Sequence, residues 1–218
     1  VIALFLVLSL ALAACSQLDV IGNQSITSFE QVLKAMQNNT SADEAYGGWS
    51  VIAPDGSARF IWAKDFSKSK NYDILLEIDA EPFINAGLDM AKLPAGMASG
   101  DKIIVGADLG DEGLEGYQED TPIAAYARIV SLSPEVIQYH AAMDHFGVNL
   151  TNGHAFEWAK DMTANDKDIV FVLDPKVFTD AGVDPERVEG WIFAKVETMD
   201  KSGRIIEVEK LLKPFNLD

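Results

Sequence analysis

The chain has a single cysteine, Cys15, among 218 residues, so no disulfide can form within it. Positive charge is scarce as well: 17 Lys and Arg stand against 34 Asp and Glu, a formal net charge of −17. No basic patch interrupts that balance, which excludes nucleic acid as a partner and argues against adsorption to an anionic lipid surface. Familiar catalytic signatures are missing too. There is no Gly-x-Ser-x-Gly elbow, no phosphate-cradling loop and no His-Glu-x-x-His pair. What is present is the stuff of a globular core, with 48% hydrophobic residues and 11 Phe.

Only one long apolar run exists, at the start. Val1 to Ala14 carry no charge and Ser9 as the one polar side chain, and Cys15 closes the run. A run of about 14 residues falls short of the ~20 needed to span a bilayer. An apolar stretch ending in small residues is the pattern of an export signal. Leu12-Ala13-Ala14-Cys15 resembles the lipobox of bacterial lipoprotein precursors. That resemblance implies cleavage before Cys15, a diacylglyceryl group on its thiol, a further acyl chain such as palmitate on the new N-terminus, and residence at the extracytoplasmic face of a membrane in the cell envelope. Several acyl chains, each methylene worth ~0.8 kcal/mol when buried, make a stable anchor. The resemblance covers the first 15 residues and implies no activity for the rest, which is similar in its general build to bacterial surface lipoproteins.

The remainder repeats itself. Phe60-Ile61-Trp62-Ala63-Lys64-Asp65 returns as Phe156-Glu157-Trp158-Ala159-Lys160-Asp161, five identities in six at a shift of 96. Asp73 to Asp79 then matches Asp168 to Asp174 at a shift of 95, and the match continues through Phe83/Phe178, Ala86-Gly87/Ala181-Gly182 and Asp89/Asp184. This is a duplicated unit, too short in copy number for a solenoid, and two similar halves related by a pseudo-twofold are expected. The boundaries are a signal peptide over 1–14, a lipidated tether over 15–27, repeat one over 28–132 and repeat two over 133–218.

The expected fold class is α+β, each repeat an antiparallel sheet of about four or five strands with a helix before its first hairpin and a short helix after its third strand. Thr27-Ser28-Phe29-Glu30 has capping-box spacing, and Phe29, Val32, Leu33 and Met36 share a helical face. Ser133-Pro134-Glu135 is expected to open the second copy's helix, running to about Asp144. Hairpins follow at Trp49–Ala63 around Pro54-Asp55-Gly56, and at Phe146–Ala159 around Asn152-Gly153, a type I′ turn signal. Further strands are expected at 72–78, 102–107 and 123–131, matched by 168–173, 191–197 and 204–212, with short helices at 81–86 and 175–181. Asn38 to Gly48 looks like a polar loop. The two sheets could join into one curved sheet or form separate domains.

Candidate sites follow from the repeated residues. Trp62, Lys64, Trp158 and Lys160 are the candidate ligand-binding set, with core packing of the indoles and turn salt bridges of the lysines as the alternative. Asp79 and Asp174 are expected as N-caps of the short helices, and Gly87 and Gly182 as their left-handed stops. The acidic, Gly-rich loop containing Asp108, Asp111, Glu112 and Glu115 is a candidate Ca²⁺ site, although it lacks EF-hand spacing. His140, Asp144 and His145 cluster, with His154 on the next hairpin; on a helix 145 would leave the face shared by 140 and 144, which speaks against zinc. The functional expectation is a non-enzymatic binding module for a protein, peptide or glycan, with an envelope hydrolase using carboxylates or a Ca²⁺-dependent module as alternatives.

Overall fold

A computed structural model describes residues 2–64, 72–109, 119–141, 143–162, 167–199 and 202–217, with side chains from Gln17 onward, Met199 excepted. The first copy runs α1 (Ile2–Ala35), β1 (Thr40–Asp43), β2 (Gly48–Ile52), β3 (Ala58–Ala63), β4 (Ile74–Asp79), α2 (Glu81–Asn85), β5 (Ala98–Ser99) and β6 (Lys102–Ala107). Helix α3 (Pro122–Leu132), on the repeat-one side of the boundary expected at 132/133, precedes β7 (Ile137–His140) as α1 precedes β1 and is counted with the second copy. That copy continues with β8 (His145–Asn149), β9 (Ala155–Ala159), β10 (Ile169–Leu173), α4 (Lys176–Asp180), β11 (Ile192–Met199) and β12 (Ile205–Phe215). The fold is α+β. Each copy forms an antiparallel six-stranded sheet with the same strand order, β1-β2-β3-β4-β6-β5 and β7-β8-β9-β10-β12-β11.

Alternation along the strands decides how the sheets meet. Phe60, Trp62, Ile74, Leu76 and Ile78 of sheet one and Phe156, Trp158, Ile169, Phe171 and Leu173 of sheet two are buried in one shared core. The halves are therefore neither one continuous sheet nor two separate cores. Counterparts meet across the pseudo-twofold: Phe60 stacks on Phe156 at 4.8 Å and 6°, and Phe83 lies 5.0 Å from Phe178. Such aromatic pairs contribute about 0.5–1.5 kcal/mol each beyond the area they bury.

The long helices are exchanged between the copies. Trp62 Nε1 in sheet one donates to the carbonyl oxygen of Pro122 in α3 at 2.9 Å, while Trp158 Nε1 in sheet two donates to Ser28 Oγ in α1 at 2.8 Å. Phe29 of α1 lies 5.3 Å from Trp62, 4.9 Å from Trp158 and 4.3 Å from Tyr126 of α3. Each copy's tryptophan is satisfied by the other copy's helix, so neither half completes its core alone.

Five local expectations are corrected. Residues 123–131 form α3, not a strand: Thr121 caps it by accepting from the backbone N–H of Ala124, Pro122 takes the first turn, and Ala125, Tyr126, Ile129 and Val130 make a buried helical stripe. Beyond Ser133 the chain makes a single 3₁₀ turn, Pro134–Val136, then β7, because residues 137–140 pair with β8. The stretch expected as a tether and then a capping box is continuous α1. There the hydroxyls of Ser25, Thr27 and Ser28 donate to the carbonyls of Gly22, Asn23 and Ser25 within the helix. The short helices begin at Ala80 and Pro175 without side-chain caps. Asp79 instead pairs with Lys102, whereas Asp174, one residue before the cap position Pro175, does accept a backbone N–H at the start of α4, from Lys176 at 2.8 Å. The sheets reach six strands because β1 lies in the stretch expected as a polar loop, β7 in the stretch expected as a helix, and β5 is only two residues long. Among the described residues no helix is long and apolar enough to cross a membrane.

Candidate functional site

The inner faces of the two sheets are alike; the outer faces are not. Strand register places Asp43, Arg59, Ile61, Leu75 and Glu77 of sheet one where sheet two has His140, Ala155, Glu157, Val170 and Val172. On sheet one a cation closes the surface. Arg59 Nη1 donates to Asp43 Oδ2 at 2.5 Å, and its Nε and Nη2 donate to Glu77 Oε1 and Oε2 at 2.8 and 3.0 Å. Tyr46 completes this cover, donating its hydroxyl to Glu77 Oε2 at 3.1 Å over the apolar trio Ile61, Leu75 and Ile104. A fork of guanidinium donors against two carboxylates satisfies every charge it brings in.

Sheet two has Ala155 where that arginine stands, and the cover is missing. Its place is taken by a hollow of about 270 Å³. Ala155, Val170, Val172 and Leu212 form an apolar floor. Strand β10 pairs only with residues 211–215 of β12, so residues 205–210 pair with β11 alone and that hairpin overhangs the sheet. Val196 and Val208 on the hairpin supply one wall, and Gln138 and His140 on β7 line the opposite side.

Into this hollow projects Glu157. Its side chain is 10% exposed, with Oε1 3.5 Å from His140 Nε2 and Oε2 4.0 Å from His145 Nδ1, both beyond hydrogen-bond length. Glu157 accepts no hydrogen bond from a described residue, and His140 Nε2 is itself buried without a hydrogen-bond partner among them. Burial pushes the Glu157 carboxyl above the usual carboxylate range, with His140 and Lys210 pulling it partly back. Lys210 on β12 is committed elsewhere: its Nζ donates to the carbonyl of Gly153 at 2.7 Å. Burial lowers its pKa, opposed by Asp174 and Glu157. At the turn beneath, burial pushes His154 down to about 4, and its Nδ1 accepts the backbone N–H of Asp174 at 3.1 Å. The neutral ring is thus fixed as the Nε2–H tautomer.

The residues singled out from the sequence lie elsewhere. Trp62 and Trp158 are fully buried core groups with no surface to offer. Lys64 pairs with Glu44 at 2.9 Å over the Trp49 ring, and Lys160 lies 3.8 Å from Asp144 over the Tyr139 ring. The structure brings these four into no common cleft; the lysines sit in turn salt bridges. Asp108 is exposed just after β6, whereas Asp111, Glu112 and Glu115 lie outside the described residues, as does the Cys15 side chain. His140 and His145 are register partners on the β7–β8 hairpin, both facing Glu157, while Asp144 accepts from Tyr139. Among the described residues no set of three His, Cys, Asp or Glu is arranged to hold a metal ion.

Sequence reasoning missed Glu157, and the signal was in plain sight. In the six-residue repeat match it is the one mismatch, a carboxyl replacing Ile61 inside an otherwise apolar strand. A charge at a half-buried strand position is costly unless it is paired or used. Comparison with protein-family models, with curated proteins and with solved structures finds no match for this chain.

Proposed function

We propose that this chain is a non-enzymatic binding module, held by lipid on Cys15 at the extracytoplasmic face of a membrane, and that the hollow on sheet two receives its ligand. The observation that carries the reading is the difference between the outer faces. One repeat covers its surface with its own Arg59, and the other leaves an apolar floor open beside a buried carboxyl. Concave, mostly apolar sites with a few converging polar groups are where ligands bind. At about 270 Å³ the hollow suits one side chain, one sugar unit or a small molecule, in keeping with a protein, peptide or glycan presenting a single protruding group. A hydrolase with paired carboxylates is less well supported, since the second carboxyl of the lining, Glu197, is exposed on the rim.

Two experiments test the two parts. Mass spectrometry of the N-terminal peptide from membrane extracts should find diacylglyceryl-modified Cys15 as the first residue; an unmodified Cys15 joined to Ala14 overturns the anchoring. For the hollow, a methyl-labelled chain is titrated with a fragment library, and saturable shifts are expected at Val170, Val172, Val196, Val208 and Leu212. Ala155→Arg, which restores the sister repeat's residue, should abolish them. Fragments that move none of these methyls in the unsubstituted chain overturn the binding site.

A further inference from the structure

Resting on the hollow of sheet two as a binding site, we propose that its ligand is a small amphipathic organic cation, an ammonium or guanidinium on a short apolar stem, whose charged head is held by Glu157 and His140. Three observations converge on this chemistry. Two buried groups of the lining, the Glu157 carboxyl and His140 Nε2, have no hydrogen bond among the described residues, and both can accept. A carboxylate only accepts, and His140 Nε2 accepts in its Nδ1–H tautomer. They lie 3.5 Å apart, so one donor-rich head can reach both. The local ammonium, Lys210, is bonded to the Gly153 carbonyl and leaves Glu157 without a direct donor.

The sister repeat supplies the second observation. At the same place on its sheet, carboxylates are neutralised by the guanidinium of Arg59, 2.5 Å from Asp43 and 2.8 Å from Glu77, with Tyr46 against its face. Sheet two has Ala155 in place of that cation and His140 and Val172 in place of its two carboxylates, and it gains a carboxyl, Glu157, on the same face where sheet one has Ile61. A ligand cation therefore fills the role that Arg59 fills in the first repeat, and Val170, Val172 and Leu212 take the stem. Third, a chain of net charge −17 attracts cations to its surface over anions.

Facing Glu157 are His140 on β7, His145 on β8, Lys210 on β12 and Glu197 on β11. Charge-assisted bonds to a buried carboxylate are the stronger kind, so the head group should dominate affinity. The test compares n-pentylamine, 1-pentanol and pentanoate, which share a stem and differ in head, by NMR titration of the full methyl-labelled chain. Pentylammonium should shift the methyls of Val170, Val172 and Leu212 saturably, at least tenfold more tightly than pentanol, with pentanoate silent. Glu157→Gln should weaken pentylammonium at least tenfold and leave pentanol unchanged. Pentanol or pentanoate binding as tightly as the amine, or an unaffected Glu157→Gln, overturns the cation assignment while the hollow stands as a ligand site. If no probe moves those methyls, the cation assignment falls; if the fragment library also moves none, the binding site falls with it.

Discussion

Gly87 and Gly182 meet back to back across the pseudo-twofold: a Cβ on Gly87 would lie 2.7 Å from the Gly182 carbonyl oxygen, and one on Gly182 would lie 3.0 Å from that of Gly87. Reciprocal hydrogen bonds flank the pair, Asp89 N to Ala181 O and Asp184 N to Ala86 O, each 2.9 Å. Both glycines also have positive φ, 107° and 100°. Gly87→Ala and Gly182→Ala thus meet two penalties, about 1–3 kcal/mol of backbone strain and about 1–3 kcal/mol of crowding. Gly56, at φ 75° with nothing within 4 Å, meets only the first. Urea denaturation should rank both inter-repeat variants below Gly56→Ala by at least 1 kcal/mol; equal costs would show that the close approach contributes nothing.

The exchanged helix makes a second prediction. Ser28 Oγ is the partner of the Trp158 indole N–H, and Ser25 Oγ is that of the Tyr126 hydroxyl. Ser28→Ala leaves a buried donor unsatisfied and should destabilise by about 1–3 kcal/mol. Thr27→Ala, one residue away on the exposed side of α1, should stay within about 0.5 kcal/mol of the parent. Thermal melts of the two variants decide whether α1 belongs to the core or merely lies on it.

What was legible in the sequence, and what was not, follows the reach of the interactions. The stripe Phe29, Val32, Leu33 and Met36 is buried as its spacing requires, because helical periodicity is local. Asn152 and Gly153 adopt φ of 60° and 78°, the two positive values of a type I′ turn. Residues 123–131 misled because Ile, Tyr and Val fit a strand as well as a helix. The local signal was Thr121-Pro122, and the deciding contact, Trp62 with Pro122, spans 60 positions. Glu157 escaped notice for a related reason. The mismatch with Ile61 marks the position in the sequence, but that the carboxyl is buried depends on the overhanging β11–β12 hairpin, which is a tertiary fact.

His154 makes acid stability measurable. Burial holds its pKa near 4 in the fold, with Asp174 raising and Lys210 lowering it further, against about 6.5 when unfolded. Between those values the unfolded chain binds a proton that the folded chain refuses, so stability is full above pH ~6.5 and is lost as pH falls toward 4. At ~1.4 kcal/mol per unit the loss approaches about 3 kcal/mol. His154→Asn, which keeps an acceptor for the Asp174 N–H, should flatten the unfolding free energy between pH 6.5 and 4. An unchanged slope would place the acid sensitivity elsewhere.

Glu157 should behave in the opposite sense, and its sign separates function from structure. Burial raises its folded pKa, with His140 and Lys210 opposing, so above the ordinary Glu value the folded chain keeps a proton that the unfolded chain has released. Stability from this group is therefore present at low pH and falls as pH climbs through the folded value. Once ionised, the carboxylate sits in the hollow with His140 Nε2 at 3.5 Å and no hydrogen bond from a described residue. Glu157→Gln removes that charge while keeping the shape. It should match the parent below pH 4 and exceed it by about 1 kcal/mol at pH 8. Because His154 is untouched in both chains, the difference between their pH profiles isolates Glu157. A residue that costs stability and is needed for binding has the signature of a functional group. Should Glu157→Gln instead be less stable at pH 8, the His140–Glu157 contact is a stabilising pair, and the carboxyl has a structural reason to be there.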